Sequence, residues 1–397
     1  MRIKLLLILS LIIIAITMIL NPKAVFLAAS NGLEIWFTIL IPSLLPFFII
    51  ANLLISISFV QFMGALLEPL MRPLFNVPGA GGFVMAIGFT SGSPLGALMA
   101  IDLRKEQLCS KWEAERLMAF TNNSSPLFMV SAVAVGMFGK PALGAVFAIG
   151  HYLANLTIGI ILGHLSRIKD PVIQKKEHPF SSTVLYAYKK MVYSKNFEIG
   201  TMLKDAINKS IQTILAIGGF VLLFSVLIEA FNILGISKYM YEFLSIALTL
   251  VSITPELASG LTIGFFEITL GIKQIVKTDA PLQHQLIITA FILAWNGISI
   301  HAQIASFASS TDIQMRTYVL SRVAHSFIAA FYTFLLWNPL YPVFTGSEFS
   351  FFLPLPQSAF GFFIFGSMAF VAISLLMIIV SVFIVIARAI IRALKRA

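Results

Sequence analysis

The chain has 397 residues, 58% of them hydrophobic and 11% charged, which excludes an ordinary soluble core and marks a polytopic membrane protein. Its single cysteine excludes an intramolecular disulfide framework. The formal net charge is +10, but the basic residues fall in loops between apolar runs, so they read as positive-inside bias and not as a nucleic-acid surface.

Residues 1–32 predict a signal-anchor helix, with Arg2 and Lys4 ahead of an apolar run to Leu20. A cleavable signal with Ala28-Ala29-Ser30 at the peptidase site is the other reading. A first repeat spans 33–166. It opens on a spanning helix and continues with a shorter segment at 62–75, which carries charge and suits the membrane interface. Residues 73–101 carry no charge, yet their centre reads Ile87-Gly88-Phe89-Thr90-Ser91-Gly92-Ser93-Pro94-Leu95-Gly96. Irregular backbone at membrane depth persists only where protein or a water-filled cavity satisfies it. The stretch therefore predicts a re-entrant hairpin with a polar tip. A Pro-kinked helix packed through Gly88, Gly92 and Gly96 fits the same residues. A broken helix follows at 111–138, interrupted by Thr121-Asn122-Asn123-Ser124-Ser125-Pro126, and then a spanning helix at 141–166.

Residues 167–206 form a basic loop; nine Lys or Arg between 167 and 209 place it in the cytoplasm. A second repeat spans 207–338: a helix, an interfacial segment, a hairpin at 257–273, a broken helix at 281–310 and a helix at 314–338. Residues 339–397 are a C-terminal helix and basic tail ending in Arg388, Arg392, Lys395 and Arg396. With both hairpins re-entrant, about eight full spans remain and both termini are cytoplasmic. Counting the hairpins as spans moves Arg104, Lys105, Lys111 and Arg116 outside, against the charge bias.

Two halves are visible in the sequence itself. Thr38-Ile39-Leu40 recurs as Thr213-Ile214-Leu215, Ile87-Gly88-Phe89 as Ile263-Gly264-Phe265, Pro78 as Pro255, and Phe120-Thr121-Asn122 is echoed by Ala294-Trp295-Asn296. The offsets run from 174 to 177 residues. The fold class expected is thus all-α, with two repeats inverted in the membrane, an arrangement found in secondary transporters with a site at the repeat interface.

Four breaks are expected to converge. They offer Thr90, Ser91, Gly92 and Ser93 at the first tip, and Thr121, Asn122, Asn123, Ser124 and Ser125 in the first broken helix. The second half adds Glu267 and Thr269 at its tip and Asn296 and Ser299 in its broken helix. Hydroxyls and amides give donors and acceptors without burying charge, and half-helix N-termini add N–H groups suited to carboxylate or phosphate. Interhelical hydrogen bonding is the alternative use of such residues. Glu267 is an ionisable group in an apolar stretch, a candidate for a coupling proton or a solute hydrogen bond; pairing with Lys273 is the alternative. His301, with Gln303 beside it, is a second coupling candidate, whereas His151, His164 and His325 read as packing or interfacial residues. No metal-type arrangement and no cofactor motif is present, and no Walker A pattern occurs. Gly88-Phe89-Thr90-Ser91-Gly92 lacks the Gly-x-Ser-x-Gly spacing of a nucleophile elbow, so no enzyme is expected. The expected partners are a small anionic solute and the lipid bilayer, with no nucleic acid.

Several of these stretches together resemble the YlbJ/SpoVV sporulation integral membrane protein family, itself similar to nucleoside-recognition gate proteins and, more distantly, to concentrative nucleoside transporters. The resemblance rests on Arg72-Pro73-Leu74-Phe75-Asn76-Val77-Pro78-Gly79, on Ser91-Gly92-Ser93-Pro94-Leu95-Gly96-Ala97, and on Glu113-Ala114-Glu115-Arg116-Leu117 running into Phe120-Thr121-Asn122. It continues in Gly136 with Phe138, in His151-Tyr152-Leu153 and in Gly264-Phe265-Phe266-Glu267-Ile268-Thr269-Leu270-Gly271. Ser93 and Asn123 stand where the family pattern expects a larger aromatic and a Ser or Thr. The resemblance implies movement of dipicolinic acid from the mother cell across the outer membrane around the forespore. A homo-oligomer is implied only by the distant transporter likeness. A non-transporting receptor or assembly component that binds a nucleoside-like ligand is the second function carried forward.

Overall fold

The computed structural model describes residues 2–126, 128–169, 180–192, 198–345 and 359–394. Part of the basic loop, and Lys395 and Arg396 of the tail, lie outside the described residues. Among those described, every regular element is helical, as an apolar chain requires if its backbone is to satisfy itself.

Helix α1 (Arg2–Leu20) is followed by α2 (Pro22–Ile35), with Pro22 in the first turn of α2 where its missing N–H costs nothing. The apolar parts of the two, Ile8–Leu20 and Pro22–Thr38, meet at 102°. Helix α2 passes through a π-helical stretch, Trp36–Leu40, into α3 (Ile41–Ser56). Pro42 has no backbone donor, and in a regular helix its ring would crowd the carbonyl of Thr38 inside that stretch. The boundary expected at residue 32 therefore falls inside a helical run. Helix α4 (Phe59–Phe75) turns away by 86° at Ser58, whose φ is +61°.

Helices α5 (Ala80–Ser91) and α6 (Leu95–Lys105) lie against one another as a hairpin, and not as a single kinked helix. Gly88 and Gly96 meet across it, and a Cβ added at either would collide with the carbonyl oxygen of Thr121. The small residues thus let the hairpin close onto the end of α7 (Lys111–Thr121), which starts in a capping box of Ser110 and Glu113. After an interruption at 122–125, a π-helical stretch Phe128–Met137 leads to α8 (Leu143–Lys169).

The same order recurs after α9 (Phe180–Val192). Helices α10 (Ile199–Ile233) and α11 (Ile236–Leu250) precede a second hairpin of α12 (Ala258–Phe266) and α13 (Ile268–Val276). Helices α14 (Leu282–Trp295) and α15 (Gly297–Ala308) form the second broken helix, followed by α16 (Met315–Thr345) and finally α17 (Ala359–Leu394). Gly271 backs onto Gly264 in the second hairpin much as Gly96 meets Gly88 in the first.

Among the described residues, four helical stretches are long and apolar enough to cross a membrane: Leu143–Ser166, Ile199–Ile233, Leu282–Ala308 and Met315–Asn338. The two bent pairs raise this to six, and Phe128–Met137 and Val371–Ala387 are shorter apolar helices. Their outer faces leave residues such as Leu215, Leu223, Phe327 and Phe331 exposed, the reverse of a soluble surface. The halves are tied together at one end by ion pairs. Arg104 on α6 meets Asp312, between α15 and α16, at 2.8 Å, and Lys209 on α10 meets Asp102 on α6 at 3.1 Å.

Candidate functional site

Each hairpin tip abuts the broken helix of its own half. In the first half, Gly92 (φ +85°) packs against the backbone of Asn123 and Ser125, and the Ser93 hydroxyl donates to the carbonyl of Asn123 at 2.8 Å. In the second, the Trp295 indole N–H donates to the carbonyl of Phe265 at 2.9 Å, and Gly297 (φ +74°) packs against Phe266 and Glu267. Asn296 and Gly297 both adopt positive φ, which turns the chain sharply between α14 and α15.

The two breaks then meet. Asn122 and Asn296 are both fully buried, and the Asn296 amide donates to the Asn122 carbonyl at 3.3 Å. The Asn122 amide donates to the Tyr318 hydroxyl at 2.8 Å. Ser124 reaches across the halves, its hydroxyl donating to the Leu293 carbonyl at 3.1 Å while its backbone N–H donates to His151 Nε2 at 3.2 Å. Tyr152 bridges tip and break, with its hydroxyl 2.9 Å from the Phe89 carbonyl and 3.0 Å from that of Ser124. Asn155 donates to Asn123 Oδ1 and to the carbonyl of Phe120.

Arg322, on α16, is the largest fully buried side chain among the described residues. Its guanidinium donates to the Asn122 carbonyl at 2.8 Å, to the Ala119 carbonyl, and to Asn155 Oδ1 at 3.1 Å. These are mostly the carbonyls left over at the end of α7. Among the described residues no carboxylate forms an ion pair with it, and its Nε has no hydrogen-bond partner.

The remaining predicted residues divide. Thr90 and Thr121 spend their hydroxyls on their own helices, on Ala86 and Ile87 and on Leu117 respectively. Ser125 caps the π-helical stretch through the Phe128 N–H at 3.1 Å. The Ser91 hydroxyl is buried without a partner. Ser299 is buried, and His301 accompanies the cluster through its Nε2, 2.8 Å from the Trp295 carbonyl, and its ring 5.1 Å from that of Tyr318. Glu267 accepts the Leu270 N–H at 2.8 Å as the N-cap of α13. Among the described residues it pairs with neither Lys273 nor any other base, and no hydrogen bond joins it or Thr269 to the cluster around Asn122.

Tyr152, Asn155, Tyr318 and Arg322, which the sequence reading did not offer as site residues, hold the centre together with His151 and His325, which it read as packing or interfacial residues. The rings of His151 and His325 lie 4.6 Å apart, and His325 Nε2 lies 3.0 Å from the His151 carbonyl. These histidines are 174 residues apart, the same offset as Asn122 and Asn296, so that spacing was a usable signal. Two pairs of equivalent residues in direct contact mean that the two halves face one another here. Arg322 has no such signal, because its counterpart at that offset is Ala148.

Comparison with known proteins adds the following. A family model for the Gate domain, described as nucleoside recognition, matches residues 37–150. The sporulation integral membrane protein YlbJ of Bacillus subtilis (strain 168) is 42% identical over 328 residues, covering 82% of this chain and 80% of that protein. No solved structure matches.

Proposed function

The chain belongs to the family of the sporulation integral membrane protein YlbJ, and from that premise we propose that it is a secondary transporter of a small organic anion. It is a bacterial integral membrane protein. The observation that carries the reading is the meeting of Asn122 and Asn296, two backbone breaks from the two halves, buried side by side. Breaks at a repeat interface are where secondary transporters expose main-chain groups to a solute. The cargo fitting the family's setting is dipicolinate, moved from the mother cell across the outer forespore membrane.

On this reading the halves are inverted in the bilayer, the hairpins α5–α6 and α12–α13 are re-entrant, and both termini are cytoplasmic. The crossings number about eight when α7 with Phe128–Met137, and α17, are counted with the long and bent helices. The protein carries solute without a chemical step, contacting it at Ser93, Asn122, Asn123, Ser124, Asn296 and Ser299. Glu267 and His301 are the candidates for ion coupling.

One observation favours a second reading, a receptor or assembly component that does not transport: the matching Gate model is described by recognition, and of a nucleoside. Reconstitution decides between them. Vesicles containing only this protein should accumulate labelled dipicolinate without ATP. Saturable nucleoside binding without flux would favour the receptor, and neither binding nor flux of either compound would sink both.

A further inference from the structure

Arg322 is a full positive charge in the centre of an apolar protein, and nothing described in the protein neutralises it. Burying an unpaired ion is strongly unfavourable even after relaxation, so such a residue in a spanning segment calls for a function. The bonds it makes to Ala119, Asn122 and Asn155 are to neutral oxygens. They supply partial charge from the end of α7 but no counter-ion, and they leave the Nε–H unspent.

A purely structural role as a cap for α7 does not account for it. The equivalent helix end in the other half, that of α14, is closed without an arginine. Asn296 turns out of the helix at φ +72°, and His301 sits on the Trp295 carbonyl. The position equivalent to Arg322 there is Ala148, and the position equivalent to Tyr318 is Gly144. The duplicated fold therefore works with a small residue at this place, and the charge belongs to one half alone. Tyr318 lies under the guanidinium, 5.8 Å from its carbon to the ring centre, and holds Asn122 by its hydroxyl.

We propose that Arg322 is the binding residue for a carboxylate group of the solute, with Asn122, Asn155 and Tyr318 holding it in place, so that this one side chain selects anionic over neutral cargo. The proposal rests on the transport reading for its choice of probe, but it concerns binding and is tested by binding. A guanidinium favours a carboxylate by geometry as well as charge. The neutral amides and hydroxyls around it add contacts without adding a competing negative charge.

The test compares pyridine-2,6-dicarboxylate with its uncharged analogue pyridine-2,6-dicarboxamide, titrated calorimetrically into the purified full chain. The wild type should bind the dicarboxylate and prefer it to the diamide. Arg322→Gln should weaken the dicarboxylate by about tenfold or more and leave the diamide unchanged, and Arg322→Lys should recover part of the loss. A folded Arg322→Gln variant that keeps wild-type affinity and preference overturns the proposal. If that variant does not fold, the wild type decides: equal affinity for the two compounds, or binding of neither, overturns it. Flux is measured separately. Arg322-dependent binding without flux leaves this assignment standing and removes the transport reading, whereas normal dicarboxylate flux through Arg322→Gln removes this assignment and leaves transport.

Discussion

At the scale of single residues, the polar groups in this protein do two different jobs that sequence alone does not separate. Asn122 and Asn296 lie where two interrupted helices meet, whereas Thr90 and Thr121 return their hydroxyls to their own helices, as Ser and Thr in helices commonly do. Glu267 shows the same ambiguity from the charged side. It caps α13 and has no basic partner among the described residues, so its removal strands no buried cation. Glu267→Gln should therefore fold, because the amide oxygen still accepts the Leu270 N–H and only the charge–dipole share, about 0.3–1 kcal/mol, is lost. If Glu267 carries the coupling proton, the neutral glutamine copies its protonated form, and the variant should bind solute while its uptake no longer responds to external pH. Uptake measured across a pH series checks this, and a wild-type profile in the folded variant would remove Glu267 from coupling.

At the scale of elements, close packing through glycine decides where the first hairpin sits. The backs of Gly88 and Gly96 rest on the Thr121 carbonyl, which fixes the tip at Gly92 beside the break that follows α7. Gly88→Ala should destabilise the fold by about 1–3 kcal/mol or more, since the obstacle is backbone and cannot rotate away; a lowered Tm in detergent is the readout. The Arg104–Asp312 pair joins α6 to the start of α16 in the other half. Hydrogen bonding from Arg104 holds the Asp312 carboxyl below its usual range. A depressed folded-state pKa means that the stabilisation is present above the unfolded value and is lost as pH falls through the lower folded one. The Tm gap between wild type and Asp312→Asn should thus be small, as for any exposed pair. It should close on acidification, and a gap that widens in acid would refute the assignment.

At the scale of the whole molecule, the repeated element order and the contacts between equivalent residues, Asn122 with Asn296 and His151 with His325, bring the halves face to face. The proposed inversion of the halves in the bilayer is open to labelling. Burial pushes the thiol of Cys109, the one cysteine in the sequence, up to about 12, so it is silent toward thiol reagents at neutral pH. Single cysteines can accordingly be read against the otherwise natural chain. A cysteine at Lys190, exposed on α9, should react only with a membrane-permeant reagent, and one at Lys277, exposed just after α13, with an impermeant one. Equal labelling of both from outside would rule out inversion.

The sequence by itself determined the helical membrane class, the tips of both hairpins, the two helix breaks and the duplication. All of these depend on local chemistry: uncharged runs demand helix, and Gly, Pro, Asn and Ser at their centres interrupt it. The first hairpin, expected from residue 73, starts only at Ala80 because residues 73–75 complete the helix before it. The offset of 174 also carried the His151–His325 pair, although polar residues scattered along a span give no local sign of meeting. Only the tertiary structure decided which of the polar residues share a centre. Arg322 stands near the start of an apolar run, where a basic residue ordinarily marks a helix end at the membrane surface. Its burial follows from α16 packing against the end of α7, whose unpaired carbonyls receive it. That is a long-range fact, some 200 residues apart in the chain, and no pattern of spacing or hydropathy encodes it.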